Sequence, residues 1–291
     1  MNQIKTLGLL SLLSALLVGI GYFIVGGTSG IIIGIVMAAV MNLGSWYFSD
    51  KIALSAYQAQ PVSPEQAPEL YQMLERLSQK ANIPTPALYV VPGQAANAFA
   101  TGRDPQHAAV AVTEGIVNML TTDELEGVIA HELTHVINRD TLTQAVAATI
   151  AGAISQLAYM AQWASYGMAF GGSSDDRRGP NPIGLLLAMF LAPLAASLIQ
   201  MTISRTREFE ADAGAARLTN NPRGLASALQ KLEVGAQRMS VQANPAFEPL
   251  LIINSFAGEG LTSLFSTHPP TQKRIERLLQ LEQEMTSISA A

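Results

Sequence analysis

The chain of 291 residues has no cysteine, four histidines and only 13% charged residues. Without cysteine there is no disulfide framework and no thiolate ligand, so any metal site must draw on His, Asp or Glu. A net charge of −5 gives no electrostatic reason to expect nucleic acid as a partner. The scarcity of charge goes with 49% hydrophobic residues, and that excess is concentrated in a few long runs.

Two runs open the chain, from about Leu7 to Val25 and from about Gly30 to Phe48, each close to the ~20 residues a bilayer requires. With only Gly26-Gly27-Thr28-Ser29 between them they read as a helical membrane hairpin, residues 1–48. No small-x-small cleavage site ends the first run, so a removed signal peptide is not expected. Gly30-x-x-x-Gly34 offers a face for close helix packing.

From Ser49 the chain changes character. Ser63-Pro64-Glu65 reads as a helix start, followed by Leu70, Met73, Leu74 and Leu77 on one face. Ala87 to Val91, Asn97 to Gly102 and Ala108 to Val112 read as short strands of a small sheet, the last two separated by the turn Arg103-Asp104-Pro105. Thr121-x-x-Glu124 is a capping box that opens a helix with Leu125, Val128, Ile129 and Val136 on its buried side.

That helix carries His131-Glu132-Leu133-Thr134-His135. Residues four apart share a helix face, so both imidazoles can bind one Zn²⁺ while Glu132 reaches a nearby water as general base. A catalytic zinc needs a third protein ligand. Two further apolar runs, from about Ala145 to Phe170 and from about Ile183 to Ile203, predict a second membrane hairpin over residues 144–204. At about 1.5 Å per residue its limbs are about 45 and about 38 Å long, which returns Glu208 to the neighbourhood of His135. Glu208 is then the third ligand, with Asp212 one turn on to orient a ligating histidine and Glu210 as the competing carboxylate. Amphipathic helices over Pro222 to Met239 and Pro269 to Met285 complete the soluble part, split between residues 49–143 and 205–291.

The hairpin, Asn97-Ala98-Phe99-Ala100-Thr101-Gly102, the His-Glu-x-x-His helix, Arg205-Thr206-Arg207-Glu208-Phe209-Glu210-Ala211-Asp212 and Thr267-His268-Pro269-Pro270 together resemble the HtpX family of bacterial membrane zinc endopeptidases, related to the CAAX-prenyl proteases. The resemblance covers nearly the whole chain. It implies a mainly α, polytopic membrane protein with a gluzincin-type α+β zinc-protease domain. It makes His131, His135 and Glu208 the zinc ligands, Glu132 the general base and Asp212 a residue behind the ligands. It further implies that Asn97 to Thr101 is an edge strand pairing with extended substrate, with Asn97 near the cleft. His268 would stabilise oxyanion charge, and Arg274 would pair with Asp212 or with substrate. Its implied partners are polypeptides, misfolded or locally unfolded membrane proteins above all, and the lipid bilayer. Lys5, Lys51, Arg139, Arg205 and Arg207 on one side, against Arg177 and Arg178 on the other, turn the catalytic side to the cytoplasm of an inner membrane. Charges flanking the His-Glu-x-x-His segment exclude an intramembrane site. The alternative is a zinc-binding membrane scaffold or chaperone without proteolysis.

Overall fold

The structure is a computed structural model and describes residues 2–150, 154, 205–236, 252 and 269–289. Helices α1 (Asn2–Val25) and α2 (Gly27–Tyr47) form an N-terminal hairpin. Gly34 lies so close to α1 that a Cβ there would sit 2.5 Å from the Val18 Cα, which is why no larger residue fits at this crossing. Asn42 adds a polar tie, donating to Ser14 Oγ at 2.9 Å. Among the described residues α2 alone is long and apolar enough to cross a membrane. The second expected hairpin lies almost wholly outside the described residues.

Then follow α3 (Ser49–Ala56), β1 (Gln60–Pro61), α4 (Pro68–Lys80), β2 (Ala87–Val91), β3 (Ala98–Gly102), a 3₁₀ turn (Pro105–His107), β4 (Ala108–Thr113), α5 (Glu114–Met119) and α6 (Thr122–Ile137). Helix α7 is described over 140–150. After it come α8 (Arg205–Thr219), α9 (Pro222–Ala236) and α10 (Thr271–Ser289). Helix α4 starts later than the sequence predicts. A helix begun at Pro64 would place the ring of Pro68 within its first turns, against a carbonyl it cannot bond; instead Pro68 takes the first helical position, where its missing N–H costs nothing. The expected inner face holds, with Met73, Leu74 and Leu77 buried.

The sheet runs β1-β2-β4-β3, with β2 and β4 parallel and β3 antiparallel to β4 at the far edge. Both faces are covered. Leu88, Ala98, Ala100, Val110 and Val112 pack with α4, α6, α8 and α9 into one core. Phe99, Ala109 and Ala111 face the other way, into a second core with Leu13 and Leu17 of α1, Ala38 of α2, Leu54 of α3 and Val146 and Ile150 of α7. The sheet is therefore a middle layer between the helices that carry the candidate site and a second apolar layer in which α3 lies on the strands and the N-terminal hairpin and α7 complete the core. The fold is mostly helical with one small mixed sheet, as expected.

Candidate metal centre

Helix α6 is fixed at its start before anything reaches the site. The N–H of Thr121 donates to Glu124 Oε2 at 2.8 Å, closing the capping box. The same carboxylate takes Ser227 Oγ at 2.6 Å and Lys231 Nζ at 2.7 Å from α9. Burial pushes the Glu124 carboxyl up, but Lys231, Ser227 and Thr121 outweigh it and hold the group at about 2. Three turns on, α6 presents His131, Glu132 and His135, all buried.

Helix α8 crosses α6 at a glycine. A Cβ on Gly214 would stand 2.4 Å from Thr134 Cγ2 and 2.6 Å from its Oγ1. This contact brings the first two turns of α8, with Glu208 and then Asp212, over the two histidines. His131 Nε2 and His135 Nε2 are 3.2 Å apart. Glu208 Oε2 is 3.6 Å from the former, and its Oε1 is 3.5 Å from the latter. A tetrahedral zinc with donors at about 2.0–2.2 Å sets them about 3.3–3.6 Å from one another. Each Glu208 oxygen thus stands near that spacing from one histidine, and with one ligand atom from each residue the three atoms lie within 4.8 Å of one another, close enough to hold a divalent metal. Glu210 is exposed and contributes nothing to this group.

The other nitrogen of each imidazole is held by a carboxylate. His131 Nδ1 is 3.0 Å from Asp212 Oδ1, and His135 Nδ1 is 3.1 Å from Asp140 Oδ2. Behind each carboxylate stands an arginine. Arg274 of α10 grips Asp212 through both oxygens, Nη2 to Oδ1 at 2.7 Å and Nε to Oδ2 at 2.9 Å. Arg207 Nη1 reaches Asp140 Oδ1 at 3.4 Å. Two His–Asp–Arg chains therefore aim both Nε2 lone pairs at one point. Asp140 and Arg207 escape sequence reasoning. Asp140 follows His135 by five residues rather than by a helical repeat, and it returns to the ring only because Arg139 turns the backbone at φ 56. An acid just past a His-Glu-x-x-His helix is the one signal that could have pointed to it.

Burial opposes charge on His131, yet Asp212 and Glu208 outweigh that and raise its pKa to about 9. For Asp212 burial is again outweighed, here by Arg274 and then His131, leaving the carboxyl at about 2. Burial also pushes the Glu132 carboxyl up, against the pull of the two histidines. Glu132 Oε2 accepts the N–H of Ala100 at 2.9 Å and so rests on the open edge of β3. Asn97, just before that strand, is buried. Its Oδ1 accepts the N–H groups of Ala98 at 3.0 Å and of Ile252 at 2.9 Å. His268 lies outside the described residues.

Comparison with known proteins agrees with this geometry. Residues 64–282 match the profile of Peptidase family M48. A protein of Trichormus variabilis named Protease HtpX homolog is 65% identical over 290 residues, 99% of each chain. One of Nostoc punctiforme with that name is 66% identical over 285 residues, 98% of each. A third, from Pyrococcus furiosus, is 50% identical over 283 residues, 97% of this chain and 96% of its own. The crystal structure of S. mikatae Ste24p matches with a TM-score of 0.52 at 20% identity, over 95% of this chain and 65% of that one, a likeness of fold alone. A profile match over most of the chain and end-to-end relatives named as proteases converge on one conclusion: this is a metalloprotease, and the chain belongs to peptidase family M48.

Proposed function

We propose that the chain is a zinc endopeptidase of the bacterial inner membrane, with His131, His135 and Glu208 as ligands and Glu132 as general base. Its catalytic side faces the cytoplasm, and its substrates are misfolded or locally unfolded membrane proteins. The reading rests above all on the gathering of buried His131, His135 and Glu208, whose ligand atoms, one from each, lie within 4.8 Å of one another and make a two-nitrogen, one-oxygen donor set that suits zinc. Zinc, when bound, supplies Lewis acidity and lowers the pKa of water. The protein supplies the rest. Glu132 takes the proton from the attacking water as the oxygen–carbon bond forms, and passes it to the amide nitrogen as the carbon–nitrogen bond breaks. Its perch on the Ala100 amide keeps the carboxylate beside the strand that would align an extended substrate. Asp212 and Asp140 hold the imidazoles in register for binding, backed by Arg274 and Arg207.

In this scheme residues 1–48 and 144–204 are membrane hairpins, and residues 49–143 and 205–291 together make the catalytic part. His268 is assigned to oxyanion stabilisation and Asn97 to shaping the cleft. Nothing observed favours a scaffold without proteolysis. The test separates ligand from base. Glu208→Ala should lose most of its zinc, by metal analysis of the purified protein, whereas Glu132→Gln should keep zinc and lose cleavage by several orders of magnitude. Full zinc in the first variant or undiminished turnover in the second would overturn the assignment.

A further inference from the structure

Helix α2 ends in Trp46 and Tyr47, and Phe48 caps it. Its length, 21 residues or about 32 Å at about 1.5 Å per residue, matches the ~30 Å hydrocarbon layer. Ile32, Val36, Val40 and Leu43 on its flank are exposed. Trp46, Tyr47 and Phe48 follow, 42%, 50% and 44% exposed, where a folded protein in water would hide them. Two cations lie on this group. The Arg103 guanidinium is 4.8 Å from the Tyr47 ring and 5.7 Å from the Trp46 ring, and its Nη1 donates to the Tyr47 carbonyl at 3.3 Å. Lys51 Nζ stands 5.5 Å from the Phe48 ring. The acids nearby are Asp50 and Asp104, and Asp104 is engaged by His107 at 2.7 Å and by Arg103 at 3.7 Å.

Amphipathic rings with cations at the end of an apolar helix are what the zone between hydrocarbon and headgroup selects. We propose that Trp46, Tyr47, Phe48, Lys51 and Arg103 form a platform seated among phospholipid headgroups, with the rings at the ester level and the two cations toward phosphate. The proposal rests on the membrane reading above and adds a depth to it. Arg103 leaves the β3–β4 turn one residue after the edge strand, so its grip on Tyr47 fixes that strand against the bilayer surface. Ala100, whose amide holds Glu132, is three residues away, about 10 Å at about 3.3 Å per residue. The reacting centre is thereby held within one strand length of the headgroups, where a chain leaving the membrane first becomes free to extend.

The test uses the two tryptophans of the sequence. In a Trp163→Phe variant reconstituted into phosphatidylcholine–phosphatidylglycerol vesicles, Trp46 fluorescence should be quenched more by lipids brominated near the headgroup than by lipids brominated near the chain end. The cysteine-free chain also permits Trp46→Cys carrying an environment-sensitive dye, which should report the same depth if the first variant does not fold. Strongest quenching from the chain end, or no lipid quenching with full access to aqueous iodide, overturns the platform. Alkaline carbonate extraction distinguishes that failure from failure of the membrane reading, since only the latter releases the protein. Arg103→Ala should lose cleavage of a peptide tethered close to a membrane anchor while keeping cleavage of a soluble unfolded protein; equal loss of both, or of neither, removes the depth-setting role.

Discussion

The imidazoles of His131 and His135 are each held at one nitrogen by a buried carboxylate, and each carboxylate by an arginine. The two chains differ in grip. Arg274 meets Asp212 in a two-pronged pair at 2.7 and 2.9 Å, while Arg207 meets Asp140 through one nitrogen at 3.4 Å. The Asp140 chain is therefore the more loosely held of the two. Asp140→Asn should lower zinc affinity about 10- to 100-fold, read by competition with a chromogenic chelator, with the fold intact by circular dichroism. An unchanged affinity would mean that the His135 ring is oriented by its packing alone. Removing Arg274 is a different kind of perturbation, because an unpaired Asp212 in that interior costs about 3–5 kcal/mol.

Among the elements, β3 does more than close the sheet. Its pairing register turns the N–H and C=O groups of Ala98 and Ala100 away from β4, toward the open edge. That edge is partly engaged within the chain: Glu132 takes the Ala100 amide, the N–H of Ile252 donates to the Ala98 carbonyl at 3.2 Å, and Thr141 Oγ1 donates to the Gly102 carbonyl at 2.9 Å. Because no sheet hydrogen bond uses the Ala100 amide, proline is tolerable there and removes only the perch of Glu132. Ala100→Pro should keep zinc and stability but lower kcat by about 10- to 100-fold, the range a misplaced general base gives. A kcat equal to the parent's would show that Glu132 is steered by something other than the strand. The clamp of α6 onto α9 at Glu124 makes a separate prediction with a defined sign. Its folded pKa is depressed, so its stabilisation is fully present above the usual value near 4.5 and is lost as pH falls toward about 2. The effect is on the order of 1–2 kcal/mol, kept small because Lys231 is partly in solvent. Thermal unfolding in detergent should show the gap between the parent and Glu124→Gln closing across that window and constant above it. Elements with their own composition or caps, such as α6 and the strands β2, β3 and β4, could be read directly from the sequence, and Glu208 could be brought near by helix arithmetic. The parallel pairing of β2 with β4 could not, since the apolar runs of Ala87–Val91 and Ala108–Thr113 specify burial and not direction. Nor could Asp140, whose place depends on a single left-handed residue.

On the scale of the whole molecule, the sheet belongs to two cores at once, and the sequence division into a membrane hairpin and a catalytic part does not mark a boundary that packing respects. Deleting residues 1–48 would remove Leu13, Leu17 and Ala38 from the second core and the Thr6 hydroxyl from Thr143 at the start of α7. The truncated chain should fail to give a soluble catalytic domain, eluting as aggregate in gel filtration and binding a hydrophobic dye; a monodisperse, zinc-loaded product would show that the cores are separable. The carboxylates and guanidiniums gathered at the centre carry a last consequence, one of charge balance. Among the described residues four carboxylates, of Glu132, Glu208, Asp140 and Asp212, gather there with two guanidiniums, of Arg207 and Arg274, all buried. A dication offsets such a gathering of carboxylates more fully than a monovalent ion does. Those charges come from α6, α7, α8 and α10, so the ion that serves the chemistry is also the electrical keystone joining segments from Glu132 to Arg274 into one body.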